Sequence, residues 1–378
     1  AANFMQENPN YEIEISRTPF AKYEETIRTI LAGGDVPNVI QVNDDHVKFY
    51  AYSGWLNQLD DFAKDWTVQR DDTYVNFWDF NFYEGKMVSV TPGVKVREHF
   101  YNKTLLDEAG LAEPSEKWVD PSWNWDTALQ YAKKLTKREG DRTAVWGWSI
   151  SHEAAAGSVM IDNAIAGRND QYSGDGLKFM AATPAGWEAM QFVVDLTTVH
   201  KVQPPWGINQ KGANVDNLFR SGQLGLWYSG SWQLPTMQDV DFEWDLAPNP
   251  MKVEGNTQAS LVCYGVPSKA GQPLESGKFA AALMEEFTAK TWALNGFAIP
   301  VVKEYAEKYY IQPDRKPSRQ TVITNGLNYA YPPMFTVYTS KAKAIWDSSY
   351  KLTWSGEATA KENMLAVKDE IETILAGK

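Results

Sequence analysis

Residues 218–237, LFRSGQLGLWYSGSWQLPTM, decide the fold. Val215, Leu218 and Phe219 take helical spacing and run into Ser221-Gly222, a helix stop. Leu224, Leu226, Trp227 and Tyr228 then read as a short apolar and aromatic strand. Ser229-Gly230-Ser231 is a turn of small residues. It admits a close backbone approach and offers a serine to cap a second helix, with Trp232 on that helix's first turn. This order places a large flat ring at the carboxyl end of a strand, beside free backbone N–H groups. In open α/β sheets ligands bind at that edge. The same residues also describe an ordinary strand–turn–helix with Trp232 in the core, so the flanking chain must decide.

Working outward, 145–150 reads as a strand ending at Ser151-His152-Glu153, with a helix over 154–166. Pro184 at N1 and Thr183 at the N-cap open a helix over 184–199. Downstream, 239–246 (DVDFEWDL) alternates as a strand, and 260–267 is another apolar strand. Helices follow at 276–290, 300–310, 333–350 and 356–375. Towards the N-terminus, 11–16 (YEIEIS) alternates as a strand. The helical spacing of Tyr23, Ile27, Ile30 and Leu31 covers 18–32, and 36–42 is a β-branched strand ending at Asn43-Asp44-Asp45-His46. A helix over 46–53 follows. Strand and helix in alternation signal a parallel α/β sheet. Gly85-Lys86 makes a hairpin turn. An extended run over 94–101 sets Lys95, Arg97 and His99 on one face, and helices cover 102–109 and 125–138, the latter capped by Asn124.

A chain of 378 residues fits two domains better than one. It contains no apolar run of membrane-spanning length, and AANFMQENPN has neither a basic n-region nor an apolar h-region. A net charge of −12 without a Lys/Arg-rich stretch argues against nucleic acid and anionic membranes as partners. Cys263 is the only cysteine, which excludes an internal disulfide and a cysteine metal cluster. Its place in SLVCYGV marks a small buried residue. That usage fits a reducing cytoplasm and equally an exported bacterial protein. Tryptophan is the outlier at 16 residues. Trp55, Trp78, Trp123, Trp125, Trp206, Trp232 and Trp354 adjoin polar or turn residues, and rings half in water suit the apolar faces of sugars.

Phosphate-loop, dinucleotide, nucleophile-elbow and zinc-helix motifs are absent, and His46, His99, His152 and His200 stand singly. Asp239, Asp241, Glu243 and Asp245 match the start of a calcium loop, but Trp244 replaces its glycine and Pro250 its final glutamate. A glycosidase needs two carboxylates brought together by the fold. Asp45 and Glu153, each just past a strand, are the candidates.

Ten segments in order carry a resemblance: FMQENPNYEIEI, ILAGGDVPNVIQV, YAYSGWLNQLDDF, YEGKMVSV, FYNKTLLDEAGL, SWNWDTALQYAKKLT, FRSGQLGLWYSGSW, SLVCYGVPS, NGFAIPVVKEY and WSGEATAKENMLAVKDEIETIL. The chain resembles the extracellular solute-binding proteins of bacterial ABC importers, in the maltodextrin-binding-protein-like carbohydrate branch. The resemblance implies an α/β protein of two lobes, the Venus-flytrap fold, each lobe a mostly parallel sheet flanked by helices. The first lobe is expected at 1–98 and 259–305, the second at 99–258 and 306–378. A mono- or oligosaccharide would bind in the interlobe cleft and pass to permease subunits. The protein would be an extracytoplasmic monomer, periplasmic or a cell-surface lipoprotein, without cofactor or metal and without catalysis.

By the same resemblance Trp232 is the aromatic platform and Tyr338 a second stacking ring. Asn43 and Asp45 are polar ligands at a strand end. His152 and Glu153 lie at the cleft mouth, and Tyr264 and Phe297 on its border. Lys95 and Arg97 fall near a carboxylate of the maltodextrin binders, which argues against a neutral maltodextrin. The family begins with an apolar strand ahead of the helix ending FMQENPN, so that strand is expected to be missing from the first lobe here. A glycoside hydrolase, or a binder of a non-sugar solute in the same fold, are the competing readings.

Overall fold

The computed structural model describes residues 1–63, 66–150, 171–209, 212–332 and 334–377. His152, Glu153 and the helix expected over 154–166 lie outside them. The chain divides into two compact units, Ala1–Val94 with Ser260–Ile311, and Lys95–Ala259 with Gln312–Lys378. In chain order the main strands are β1 (Ile40–Asn43), β2 (Val90–Asn102), β3 (Arg142–Ile150), β4 (Leu224–Gly230), β5 (Trp244–Ala247) and β6 (Thr257–Gly265). The helices needed below are α1 (Phe20–Ala32), α2 (Trp125–Leu135), α3 (Pro184–Thr198), α4 (Glu286–Leu294), α5 (Thr339–Ser355) and α6 (Ala360–Leu375).

In the first unit β1 lies antiparallel to β6, with Ile40 opposite Gly265 and Asn43 opposite Val262. Ile299-Pro300 pairs antiparallel with Val94 and Gly93 at the start of β2. The expected turn before 87 forms a small hairpin, Phe82–Tyr83 with Lys86–Met87. Residues 11–16 are irregular, not a strand, and Ile15 is 62% exposed. Alternation makes a strand only where a neighbour takes up the backbone N–H and C=O groups, and no described strand pairs with this segment.

In the second unit β2 runs antiparallel to β4 on one side and β5 on the other. β3 lies parallel to β4, so Ile150 and Tyr228 come side by side at the carboxyl ends of the two strands. Expected as mostly parallel, the pairing is therefore mixed, because β2 opposes both of its neighbours. Residues 239–246 form a strand only from Trp244, which pairs with Asn102, the last residue of β2. Beyond that residue there is no further strand edge to pair with, and Asp239 and Asp241 stay in water.

Local chemistry sets the helix ends. The Asn124 side chain accepts from Thr127 N–H at 2.9 Å and starts α2. That cap is worth about 1 kcal/mol. α2 stops at Leu135, short of the expected 138, because Lys137–Glu139 pairs with β3. Trp125, Ala128, Leu129, Ala132 and Leu135 form its buried stripe. A Cβ at Gly147 of β3 would sit 1.8 Å from the Ala132 carbonyl, so only glycine lets helix and sheet approach this closely. Thr183 caps α3 as expected, and Thr359 with Glu362 closes a capping box on α6. The helix expected over 276–290 is two, Pro273–Ala282 and Glu286–Leu294. The one expected from 333 starts at Thr339.

The second unit's core gathers Trp148, Phe179, Met190, Trp346, Tyr350, Trp354 and Met364, with α3, α5 and α6 packed together. Each such side chain contributes about 1.5–3 kcal/mol by leaving water. Trp78, Trp123, Trp125 and Trp354, expected half in water, are buried. Tryptophan abundance here thus serves the core first. Cys263 is fully buried, its Sγ 3.4 Å from Thr91 Oγ1, and burial pushes its thiol far above the usual range.

Candidate functional site

The carboxyl end of β4 carries the candidate residues Trp232 and, opposite its last residue, Arg97 in the second unit. β4 is buried along its whole length and ends at Gly230, opposite Arg97 of β2. Residues 231–236 continue as a 3-10 turn whose N-cap is Gly230. No serine side chain caps it: Ser229 and Ser231 are both buried. A Cβ at Gly230 would lie 2.1 Å from Trp232 Cζ3, so the glycine makes room for the indole to fold back over the strand. Trp232 stays half-buried, and the Arg97 guanidinium rests 4.8 Å from its ring centroid. The structure thus brings two expected site residues together. Gly230→Ala is expected to push the ring out of this position at a stability cost of about 1 kcal/mol, the low end of overpacking. A red shift of tryptophan emission checks it.

The backbone beneath is fixed by polar residues that sequence reading passed over. The Thr257 hydroxyl donates to Arg97 O at 2.6 Å and accepts Arg97 N–H at 3.2 Å. Asn249 Nδ2 donates to the same carbonyl at 3.2 Å. Asn249 Oδ1 faces His99 Nδ1 at 3.0 Å, and Trp148 Nε1 lies 2.9 Å from His99 Nε2. An indole N–H only donates, so Nε2 accepts and the proton sits on Nδ1. Complete burial pushes His99 down to about 3. Glu98 is fully buried as well, opposite Ser229. Neither of its carboxyl oxygens finds a hydrogen-bond partner among the described residues, and burial pushes it well above the usual carboxylate range.

The other expected residues fall elsewhere. Lys95 is half-buried on β2, at the head of the second unit. Tyr338, half-buried, precedes α5 and packs on the second unit's core. In the first unit Asn43 ends β1 and its side chain makes no cap bond. Asp45 turns to His46 Nδ1 at 2.6 Å, while His46 Nε2 reaches Glu24 at 3.2 Å. Asp44 instead accepts Leu261 N–H at 2.8 Å and ties β1 to β6. Tyr264 and Phe297 flank a third ring, Trp292, stacked with Tyr264 at 6.5 Å and edge-on to Phe297 at 5.5 Å. Trp292 was not expected there, since a helical tryptophan reads as core. The acidic run at 239–245 serves structure: Asp245 binds Ser318 and accepts Arg319 N–H at 3.0 Å, and Glu243 pairs with Lys316. Among the described residues no cluster of His, Cys, Asp and Glu could hold a metal ion.

A half-exposed ring thus stands beside the backbone at the carboxyl ends of parallel strands, the edge where open α/β sheets bind ligands. The chain belongs to the bacterial extracellular solute-binding protein family, which matches residues 1–293. It is similar to the galactooligosaccharide-binding protein of Bacillus subtilis, 21% identical over 374 residues, 96% of this chain and 82% of the relative. The multiple sugar-binding protein of Streptococcus mutans is 24% identical over 292 residues, 73% of this chain and 65% of that protein. Among solved structures, an ABC substrate-binding protein from Listeria monocytogenes in complex with cycloalternan superposes with a TM-score of 0.86 at 23% identity, covering 99% and 94% of the two chains. Maltose-bound MalE3 of T. maritima gives 0.82 at 17%, with the same coverage. These structures share the two-lobed α/β fold of this chain. No helix among the described residues is long and apolar enough to cross a membrane.

Proposed function

We propose that this protein binds a mono- or oligosaccharide outside the cytoplasm and delivers it to the permease of an ABC importer, without making or breaking a bond. The observation that carries the reading is Trp232, a half-buried ring held over Gly230 at the strand ends. Such a ring takes the apolar face of a pyranose, while the polar residues around it take hydroxyls. Membership of the extracellular solute-binding family and relatives named for galactooligosaccharides, multiple sugars and maltose support the same ligand class. The protein works as a monomer, free in the periplasm or held at the surface as a lipoprotein. Against the hydrolase alternative, the Asp45 carboxylate is engaged by His46.

Calorimetric titration across mono- and oligosaccharides tests this. Saturable binding with the sugar recovered intact is expected, and the absence of binding by every sugar overturns it. Trp232→Ala is expected to weaken the affinity by about tenfold or more, equivalent to about 1.4 kcal/mol. An unchanged affinity in a folded variant removes Trp232 from the site.

A further inference from the structure

We propose that Arg97 receives a negatively charged oxyanion on the ligand, a carboxylate or a phosphate ester, so that the solute is an acidic saccharide. This rests on the carbohydrate reading above and specifies it.

Three observations point there. First, the Arg97 guanidinium makes no hydrogen bond or ion pair to any described residue, and its Nε is buried without a partner. Three other arginines are bound to carboxylates. Arg28 binds Glu24, Arg70 binds Asp79 across two nitrogens, and Arg319 binds Glu113 and Glu116. Second, the adjacent acid does not neutralise it. Glu98 follows Arg97 on an extended strand and so faces the opposite side. It is fully buried, and burial favours its uncharged form. Third, Arg97 is held in place rather than loose. Its N–H and carbonyl are fixed by Thr257 and Asn249, and its side chain lies on the Trp232 ring.

The chemistry follows from that placement. A guanidinium presents a planar fork of N–H donors that matches the two oxygens of a carboxylate or phosphate. The indole beside it presents a face for the sugar ring bearing that group. One residue selects the charge and the other the ring. The Arg97 guanidinium is then a donor set placed beside a ring face, with its Nε buried and without an acceptor among the described residues.

The test uses pairs of sugars matched in length and ring: galactose with galacturonate, glucose with glucuronate, glucose with glucose 6-phosphate, and the disaccharides of each. Affinities of the parent, Arg97→Gln and Arg97→Lys are measured by titration at ~20 mM and ~500 mM salt. In the parent the acidic member of one pair is expected to bind about tenfold tighter or better, and less so at high salt. The uronate and phosphate arms tell which oxyanion it is. Arg97→Gln is expected to bring the acidic-to-neutral ratio to about one, whatever the absolute affinity, whereas Arg97→Lys retains part of it. Arg97→Lys also serves if Arg97→Gln fails to fold. Equal binding of both members, or a preference that survives Arg97→Gln, overturns the proposal and leaves sugar binding standing. Failure of every sugar, neutral or acidic, overturns both.

Discussion

Acidification is expected to remove about 3 kcal/mol of stability by pH 4 through His99 alone, and about 4 kcal/mol once the pH reaches 3. The folded protein holds this imidazole neutral down to about 3, whereas its ordinary value is 6.5. Each unit of that difference corresponds to about 1.4 kcal/mol. The sign follows from proton counts. Below 6.5 the unfolded chain takes up a proton that the folded chain refuses, so stability is complete above 6.5 and drains away as the pH falls towards 3. The physical cause is double. His99 is wholly buried, and Trp148 N–H points at the nitrogen that a second proton would have to occupy. Urea unfolding between pH 7 and pH 4 checks this. His99→Gln is expected to lose most of the acid slope, even though it breaks the contacts to Trp148 and Asn249 and lowers stability at pH 7. A variant with the parent's slope would place the acid sensitivity elsewhere.

The two-unit α/β fold was legible because it rests on signals within one window of sequence. Apolar periods, the cap residues Asn124, Thr183 and Thr359, and the order of strands and helices all act locally. What failed to read was what depends on a distant neighbour. YEIEIS alternates well yet pairs with no described strand, and DVDFEWDL pairs only from Trp244 onward because β2 ends at Asn102. The helix expected to run to 138 yields three residues to β3.

The site divides along the same line. Trp232 was legible as a candidate because a small-residue turn after an apolar strand is a local pattern. Its partner Arg97 was named, but the ring–guanidinium contact needs the β2–β4 register, which sets Arg97 opposite Gly230. Asn249 and Thr257 lie about 150 and 160 residues from Arg97 in sequence and gave no signal at all. Trp292 sits on a helix and looks like core until Tyr264 and Phe297 are seen on either side of it. Glu98 did leave a trace. It is an acidic residue in the buried phase of VKVREHFY, where Val96 and Phe100 share its face.

That carboxyl is the site of the other large effect. Glu98→Met is expected to stabilise the protein at pH 7 by about 1–3 kcal/mol, because it replaces a buried polar group without hydrogen-bond partners by an apolar one of similar volume. The gain should grow with pH. Glu98 is raised well above its usual 4.5, so above 4.5 the folded chain retains a proton that the unfolded chain has lost. Parent stability therefore falls as pH rises through that range, opposite in sign to the His99 effect one residue away, and Glu98→Met lacks this fall. Urea midpoints of the two proteins at pH 5, 7 and 8.5 should diverge steadily. If the variant is less stable than the parent at all three, the carboxyl has a partner that stabilises it. If it is more stable, β2 tolerates a destabilising acid beside Arg97, as is common where a strand serves binding as well as folding. Because Glu98 faces away from the Arg97 guanidinium, Glu98→Met is expected to leave the acidic-to-neutral ligand ratio unchanged.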